Sequence, residues 1–310
     1  MSQPKIRFFF REPTVDTNRP LNDGLIKLEG FDFETVATLE EADAWDCGFA
    51  ARMLSHAQGL GDVSIPAFPN RKFRLSYIYV NAKAGIANPR DLEGKRVAIL
   101  MWANTAGVWA RGALQHAYGV DLSRIRWVVR NEDDMAPPPG MMAEPLKGNV
   151  DDMLLSGELD AVIDPNVLPS ITRRDPRVRR LFPDYKAEEQ AYFRRTGIFP
   201  ISHVVTLRGA FVARHPQAPV ALLKGFRQAR DMAIDNIQGA DPQVLVVSWI
   251  NALLEEQRAL MGEHYFAYNI VDNRISLAAM MQFSLDQGLI AAPVDYASLF
   301  SPDAANFPGF

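Results

Sequence analysis

The chain has 310 residues, of which 48% are hydrophobic and 23% charged, and its formal net charge is −4. These values exclude a wholly disordered, collagen-like or coiled-coil chain, and the length predicts about two domains. The chain lacks the overall positive charge that favours nucleic acid or acidic membranes, so we expect neither as a partner. The single cysteine, Cys47, can form no internal disulfide and no thiolate metal site on its own.

The N-terminal sequence does not match a secretory signal. Its apolar run, Phe8–Phe10, is flanked by Arg7 and Arg11, whereas a signal needs about 7–15 apolar residues. No apolar run approaches the roughly 18 residues of a membrane-spanning helix. We expect a cytoplasmic protein.

Strand-like and helical segments alternate along the chain, which is typical of the α/β fold class. Strands are predicted at Ile6–Phe10, Phe33–Thr38, Trp45–Phe49, Leu75–Val80, Arg96–Leu100, Ile125–Val129, Leu159–Ile163 and Val204–Leu207. Helices are predicted at Asn104–Tyr118, Asn149–Ser156, Val220–Ile237, Pro242–Met261 and Arg274–Gln287, and a loop at Glu132–Gly148.

The order of these segments predicts two lobes joined by two hinge crossovers. Lobe I would comprise residues 1–97 and 204–310, and lobe II would be an insertion at residues 98–203. The segments DLEGKRVAIL, YGVDLSRIRWV and SGELDAVI resemble the second lobe of type II periplasmic binding proteins. This resemblance implies a ligand in a cleft between the lobes, outside the carboxyl ends of the strands.

A second resemblance covers the chain from about Pro69 to its end. The segments FRLSYIYVNAKAGI, TAGVWARGALQHAYGV, RVRRLFPDY, AYFRRTGIFPISHVVTLR and ALMGEHYFAYNIVDNR are similar to the 4,5-dihydroxyphthalate decarboxylase family. The resemblance implies non-oxidative loss of CO2 from a hydroxylated aromatic acid, with no organic cofactor. Two segments depart from the family pattern: it would have a glutamate near Met101, and a more polar, serine-rich stretch in place of WDCGFAARML.

Such a reaction needs a general acid that protonates the ring. His203 follows Pro200 in the segment TGIFPISH, and an imidazole titrates near pH ~6.5, so it can donate a proton at neutral pH. The alternative is a structural histidine bonded to a backbone carbonyl at a hinge. Asp164 and Thr196 are further catalytic candidates, and Asp164 equally fits a turn aspartate that caps the next segment.

The reaction also needs cations or backbone N–H groups that hold carboxylates. A guanidinium group matches a carboxylate with two parallel hydrogen bonds, which points to arginines beside predicted strands or on the following helix: Arg11, Arg71, Arg74 and Arg111. The alternative for each is an ordinary solvated arginine.

A helix is predicted to begin at Asn104 and Thr105, directly after a buried strand. Free N–H groups at a helix start bind anions, so we expect carboxylate contact there, although a plain N-cap fits as well. Trp109 can stack on an aromatic substrate or belong to the core.

No metal site is expected, because the histidines lack HxH, HxxxH and HExxH spacing. The pairs Asp133–Asp134 and Asp151–Asp152 consist of adjacent side chains that diverge. The basic run Arg173–Arg180 fits a solvated face better than a nucleic-acid site. The leading hypothesis is therefore a cofactor-independent decarboxylase acting on a small aromatic carboxylate. A non-catalytic solute-binding protein and another lyase or isomerase on the same scaffold stay open, as does assembly into a homo-oligomer.

Overall fold

A computed structural model describes residues 3–130, 135–239 and 247–308. The chain divides into two compact units. Unit 1 comprises Met1–Arg71, Ile201–Leu277 and Val294–Phe310, and unit 2 comprises Lys72–Pro200 and Ala278–Pro293. The predicted first boundary at residue 97 is therefore corrected to residue 71, and the insertion ends at residue 200 rather than 203. Residues 278–293, predicted to belong to lobe I, lie in unit 2.

The strands of the described residues are, in chain order, β1 (Lys5–Phe9), β2 (Asp32–Thr35), β3 (Ala44–Gly48), β4 (Val63–Ile65), β5 (Ile78–Asn81), β6 (Arg96–Ile99), β7 (Arg126–Val129), β8 (Met142–Pro145), β9 (Ala161–Ile163), β10 (Val178–Arg180) and β11 (His203–Leu207). The α-helices are α1 (Arg19–Asn22), α2 (Phe49–Ala57), α3 (Thr105–Tyr118), α4 (Val150–Ser156), α5 (Pro169–Thr172), α6 (Tyr185–Thr196), α7 (Gly209–Arg214), α8 (Ala218–Gln238), α9 (Ile250–Met261), α10 (Ile270–Asp286) and α11 (Pro302–Ala305). None of the helices in this described part is long and apolar enough to cross a membrane.

The sheet of unit 1 has the strand order β2-β1-β3-β11-β4. Strand β1 runs parallel to β2 and β3, and β11 is antiparallel to both β3 and β4. Ile6 and Phe8 alternate with exposed residues along β1 and are fully buried, as expected for a strand with one face on the core. Helix α8, which belongs to the same unit, packs against this sheet, and the Phe226 ring lies 5.5 Å from that of Phe8.

The sheet of unit 2 has the order β10-β5-β9-β6-β7-β8. Its central strands β9, β6 and β7 are parallel, and β5 joins antiparallel to β9. This pairing of Ile78–Asn81 is what moves residues 72–97 out of the predicted lobe I. Buried residues from several of these strands form its core, including Tyr79, Ala98, Val128 and Val162.

The predicted helix ends of unit 2 are confirmed. The side chain of Asn104 accepts a hydrogen bond from the Gly107 N–H at the start of α3, and Gly119 ends the helix in the left-handed region at φ 65°. Asn149 caps α4 in the same way, and Gly157 ends it at φ 84°. Polar N-caps satisfy free N–H groups and glycine takes a positive φ without steric cost, so these residues define the helix bounds locally.

Several predicted elements are corrected. Residues 75–77 of the predicted strand Leu75–Val80 form a 3-10 helix, and the predicted loop Glu132–Gly148 contains β8. The basic run is not only a solvated face, because Val178–Arg180 is strand β10. The helix predicted from Pro242 begins at Ile250, after residues 240–246, which lie outside the described residues, as do Asp133 and Asp134.

Candidate active site

His203 and Asp46 lie on neighbouring antiparallel strands of unit 1. The register pairs His203 with Gly48 and Val205 with Asp46. Side chains two residues apart on a strand share a face, so His203 and Asp46 point to the same side of the sheet as diagonal neighbours. The imidazole Nδ1 of His203 lies 2.7 Å from Asp46 Oδ2.

The two oxygens of Asp46 have different partners. Oδ2 contacts His203, and Oδ1 accepts a hydrogen bond of 2.6 Å from the backbone N–H of Arg11. The Asp46 side chain is fully buried and that of His203 is 11% exposed. An anionic carboxylate only accepts hydrogen bonds, so Nδ1 of His203 carries the hydrogen of this contact. Among the described residues, no hydrogen-bond partner is seen for Nε2 of His203, the second nitrogen of the ring.

The backbone before His203 is held from two sides. The Asn70 carbonyl accepts hydrogen bonds from the N–H groups of Ser202, at 2.8 Å, and His203, at 3.1 Å. The Ser202 carbonyl in turn accepts from Phe49 N–H at 2.9 Å, and Asn70 donates through its side chain to Glu12. These bonds fix the backbone of His203 relative to α2, which begins at Phe49, and to the Asn70 segment.

Arg11 and Arg71, two of the predicted carboxylate clamps, have opposite environments in unit 1. The Arg11 side chain is exposed, and its charge opposes the rise in the pKa of Cys47, which immediately follows Asp46. Arg71 is largely buried: its Nη1 donates to Asn273 Oδ1 at 2.7 Å, and burial lowers its pKa to about 9. Arg11 is therefore an exposed cation whose backbone N–H binds Asp46, whereas Arg71 is held inside its unit. Asn273 lies inside α10, and its side-chain oxygen binds the Arg71 guanidinium.

Cys47 is not an activated thiol. Burial raises its pKa to about 11. Its Sγ contacts Thr206 Oγ1 at 3.5 Å and the Val204 carbonyl at 3.7 Å. A thiol is nucleophilic as the thiolate, so this cysteine is inert at neutral pH despite its place beside Asp46.

The predicted anion-binding start of α3 lies in unit 2. Asn104 caps the helix through Gly107 N–H, and Thr105 is 7% exposed. Arg111, nearly two turns further along, is fully buried. Its Nε donates to Gln287 Oε1 at 2.8 Å and its Nη2 to the Trp102 carbonyl at 2.5 Å, and its guanidinium lies 3.9 Å from the Trp102 ring centre. These contacts are those of a structural arginine.

Trp109 packs edge-on against Phe283, with ring centres 5.6 Å apart, and is 1% exposed. Trp109 is therefore a buried residue of the core of unit 2. Its stacking on a substrate ring stays a prediction, as does substrate contact by Asn104, Thr105 and Arg111.

Arg74, Asp164 and Thr196 also belong to unit 2 and have local partners there. Arg74 Nη1 lies 3.4 Å from the Pro165 carbonyl. Asp164 accepts from Asn166 N–H at 2.8 Å, and burial raises the pKa of its carboxyl group. Thr196 donates to the Tyr192 carbonyl at 2.8 Å, at the end of α6. Asp164 thus has the geometry of a turn aspartate, and the roles predicted for these three residues stay predictions.

Asp46 is the residue of this constellation that the sequence analysis did not select. Asp46 is the single charged residue of the strand Ala44–Gly48. A carboxylate in the middle of a buried strand is expensive unless it is paired. The desolvation cost therefore predicts that Asp46 has a hydrogen-bonding or charged partner, but it does not identify that partner as His203.

Metal binding has no visible basis in the part of the chain that the structure describes. Three or more His, Cys, Asp or Glu side chains converge nowhere among these residues in a way that could hold an ion. Asp151 instead accepts hydrogen bonds from Ser170 N–H and contacts Arg173.

The two mixed α/β units define a protein of the periplasmic-binding-protein-like fold class, as predicted. The chain is similar to the periplasmic aliphatic sulphonate binding protein SsuA from Escherichia coli, with a TM-score of 0.58 at 12% identity over 98% of this chain and 99% of the other. It is also similar to a mutant of the desulfurization enzyme DSZB in complex with biphenyl-2-sulfinic acid, with a TM-score of 0.56 at 14% identity over 98% of both chains. At these identities the likeness is one of fold.

The resemblance to the 4,5-dihydroxyphthalate decarboxylases is confirmed by two relatives of that name. One, from Comamonas testosteroni, is 28% identical over 320 aligned positions, which cover 96% of this chain and 97% of the relative. The other, from Pseudomonas putida, is 28% identical over 198 positions, which cover 57% of this chain and 77% of the relative. No family model matches the chain.

Proposed function

We propose that this protein is a carboxy-lyase that removes CO2, without oxidation, from a hydroxylated aromatic acid related to 4,5-dihydroxyphthalate. The observation that carries the proposal is the contact of 2.7 Å between Asp46 Oδ2 and His203 Nδ1, which leaves Nε2 without a hydrogen bond to the described residues. Similarity along 96% of the chain to a protein named 4,5-dihydroxyphthalate decarboxylase supports it.

Loss of CO2 from an aromatic ring requires protonation of the ring carbon that bears the carboxylate. Electrons from a phenol oxygen, ortho or para to the carboxylate, allow the ring carbon bearing that carboxylate to accept a proton from His203 Nε2. The resulting dienone-like intermediate loses CO2: the carbon–carbon bond breaks, and its electron pair restores the aromatic ring. The overall change is one proton taken up and one CO2 released per carboxylate lost, and solvent returns the proton to the imidazole. General acid–base assistance of this kind contributes about 10²–10⁴-fold.

Arg11 is the proposed carboxylate-binding residue of unit 1. Its exposed guanidinium follows strand β1, and its own backbone N–H is bound to Asp46, so the side chain starts from a fixed point beside the proton donor. A guanidinium binds carboxylate with two charge-assisted hydrogen bonds and holds it through the reaction.

Turnover of defined aromatic acids tests this proposal. The purified protein is incubated with hydroxylated benzoates and phthalates, including 4,5-dihydroxyphthalate, while CO2 and the decarboxylated product are quantified. Phthalates and benzoates without a ring hydroxyl are the matched controls, because they lack the electron source. Release of CO2 from the hydroxylated acids alone supports the proposal, and no release from any of them contradicts it.

A solute-binding protein is the second candidate, because structural neighbours such as SsuA are named as binding proteins. It predicts a ligand-induced rise in Tm with the same acids and no turnover. The desulfurization enzyme of the same fold, solved with an aromatic sulfinic acid, supports an enzyme on this scaffold equally well. The CO2 measurement separates the two.

We further propose that the protein is cytoplasmic and requires no cofactor. We also propose that its small-molecule partner is an aromatic carboxylate. Cell fractionation tests the location. Assay of chelator-treated, dialysed protein tests the cofactor requirement. Gel filtration with light scattering measures whether the chain forms a homo-oligomer.

A further inference from the structure

We propose that Asp46 is a positioning residue that fixes the His203 imidazole with its hydrogen on Nδ1, so that Nε2 is the atom that exchanges a proton with the substrate. This inference rests on the proposed function for its catalytic part. Its structural part, the tautomer of His203, is independent of any substrate.

The Arg11 backbone determines how Asp46 can act. A backbone N–H can only donate, and it occupies Asp46 Oδ1 at 2.6 Å. Oδ2 therefore is the oxygen that faces His203, at 2.7 Å. Because both carboxylate oxygens are acceptors, Nδ1 must be the donor, and the neutral imidazole keeps its lone pair on Nε2. On taking up a proton, Nε2 becomes the second N–H, which is the proton available to a ring carbon.

Replacing Asp46 with asparagine reverses this arrangement. The amide oxygen must stay opposite the Arg11 N–H, because the amide nitrogen would set two donors against each other. The amide nitrogen then faces Nδ1 and donates to it, which forces the hydrogen onto Nε2. A protonated imidazole would place two donors in contact at this point, so the acid form is disfavoured. In serine proteases the corresponding Asp→Asn replacement traps the wrong tautomer and lowers kcat by about 10⁴.

Asp43 provides a matched control in the same unit. It is 6% exposed and also accepts a hydrogen bond from a backbone N–H, that of Arg7 at 3.1 Å, but its side-chain partner is the Arg7 guanidinium. Asp43→Asn thus removes a buried negative charge close to the start of β3 without touching His203.

The experiment combines 15N NMR of histidine-labelled protein with steady-state kinetics. The His203 resonances are assigned by their absence from His203→Gln. In the wild type at about pH 9, where imidazoles are neutral, we expect the hydrogen on Nδ1, and in Asp46→Asn on Nε2. We expect Asp46→Asn to lose about 10²–10⁴-fold in kcat with little change in KM, and Asp43→Asn to stay within about three-fold of the wild type on the same scale.

The NMR result tests the positioning role of Asp46, and the kinetic result tests its effect on catalysis. A wild-type imidazole with its hydrogen on Nε2 overturns the positioning role without any variant, so the test survives if Asp46→Asn fails to fold. A folded Asp46→Asn that switches tautomer but keeps full turnover overturns the catalytic part. If the wild type releases no CO2 from any hydroxylated acid, the proposed function fails, while the tautomer of the wild type still supports or overturns the role of Asp46.

Discussion

The Nδ1 atom of His203 lies 2.7 Å from Oδ2 of Asp46, although 157 residues separate the two along the chain. Strand pairing between β3 and β11 creates this contact, and the Arg11 backbone completes it from the end of β1. The result is a buried carboxylate paired with an imidazole whose Nε2 makes no hydrogen bond to the described residues.

Arg11→Ala is expected to weaken substrate binding and leave chemistry nearly unchanged. Loss of a charge-assisted hydrogen bond costs about 1.5–3 kcal/mol, which is roughly a 10–100-fold rise in KM. The alanine keeps the backbone N–H that binds Asp46, so kcat is preserved. Steady-state kinetics measure the split, with the exposed Arg19→Ala as control. A loss confined to kcat would show that Arg11 does not act as a ground-state clamp.

Arg111→Met is expected to destabilise the protein rather than weaken binding alone. The change leaves the buried Gln287 Oε1 and Trp102 carbonyl without their guanidinium donor, at a cost of roughly 2–5 kcal/mol. Urea unfolding measures this cost, with the exposed Arg126→Met as the matched control from the same unit. Unchanged stability with a raised KM would restore the predicted substrate-binding role of Arg111.

Cys47 is expected to resist alkylation at neutral pH. With its pKa raised to about 11, the thiolate fraction at pH 8 is on the order of 10²-fold smaller than for an ordinary cysteine. The rate of iodoacetamide labelling should therefore increase with pH until about pH 11 in the folded protein, and reach the ordinary rate in urea. Cys47→Ala should retain turnover. Rapid labelling of the native protein at pH 7 would contradict this account of the thiol.

Gly112→Ala is expected to destabilise helix α3, against the usual helix preference for alanine. A Cβ at this position would overlap the ring of Phe283, which is held between Trp109 and His116. Overpacking costs about 1–3 kcal/mol, more than the ~1 kcal/mol that alanine gains in propensity. Gly107→Ala is the comparison, because its Cβ would overlap only the flexible end of Ile99 and would lie 3.2 Å from Arg111 Nη1. Thermal unfolding should show the lower Tm for Gly112→Ala, and the reverse order would show that the Phe283 ring moves easily.

Local sequence signals predicted those features of the fold that depend on neighbouring residues. Asn104 with Gly119, and Asn149 with Gly157, bounded two helices correctly, because caps act within one turn. The boundary at residue 97 was wrong because β5 joins β9, a strand some 80 residues later, through hydrogen bonds that no local pattern encodes.

The same distinction applies to the candidate site. His203 was selected from its residue type, its turn-rich segment and a family resemblance. Its partner Asp46 required knowledge of which strands are adjacent. The buried contacts of Arg111 with Gln287 and Trp102 were not predicted for a similar reason: they depend on Ala278–Pro293 belonging to unit 2.

The most direct test of the account compares wild type and His203→Gln for release of labelled CO2 from carboxyl-labelled 4,5-dihydroxyphthalate in a single turnover, with enzyme in excess. Ligand-induced shifts in Tm establish that both proteins are folded and bind the acid. The account predicts CO2 release by the wild type and a rate about 10²–10⁴-fold lower for His203→Gln, at similar affinity. Equal rates for the two proteins would assign His203 to structure and contradict the central claim.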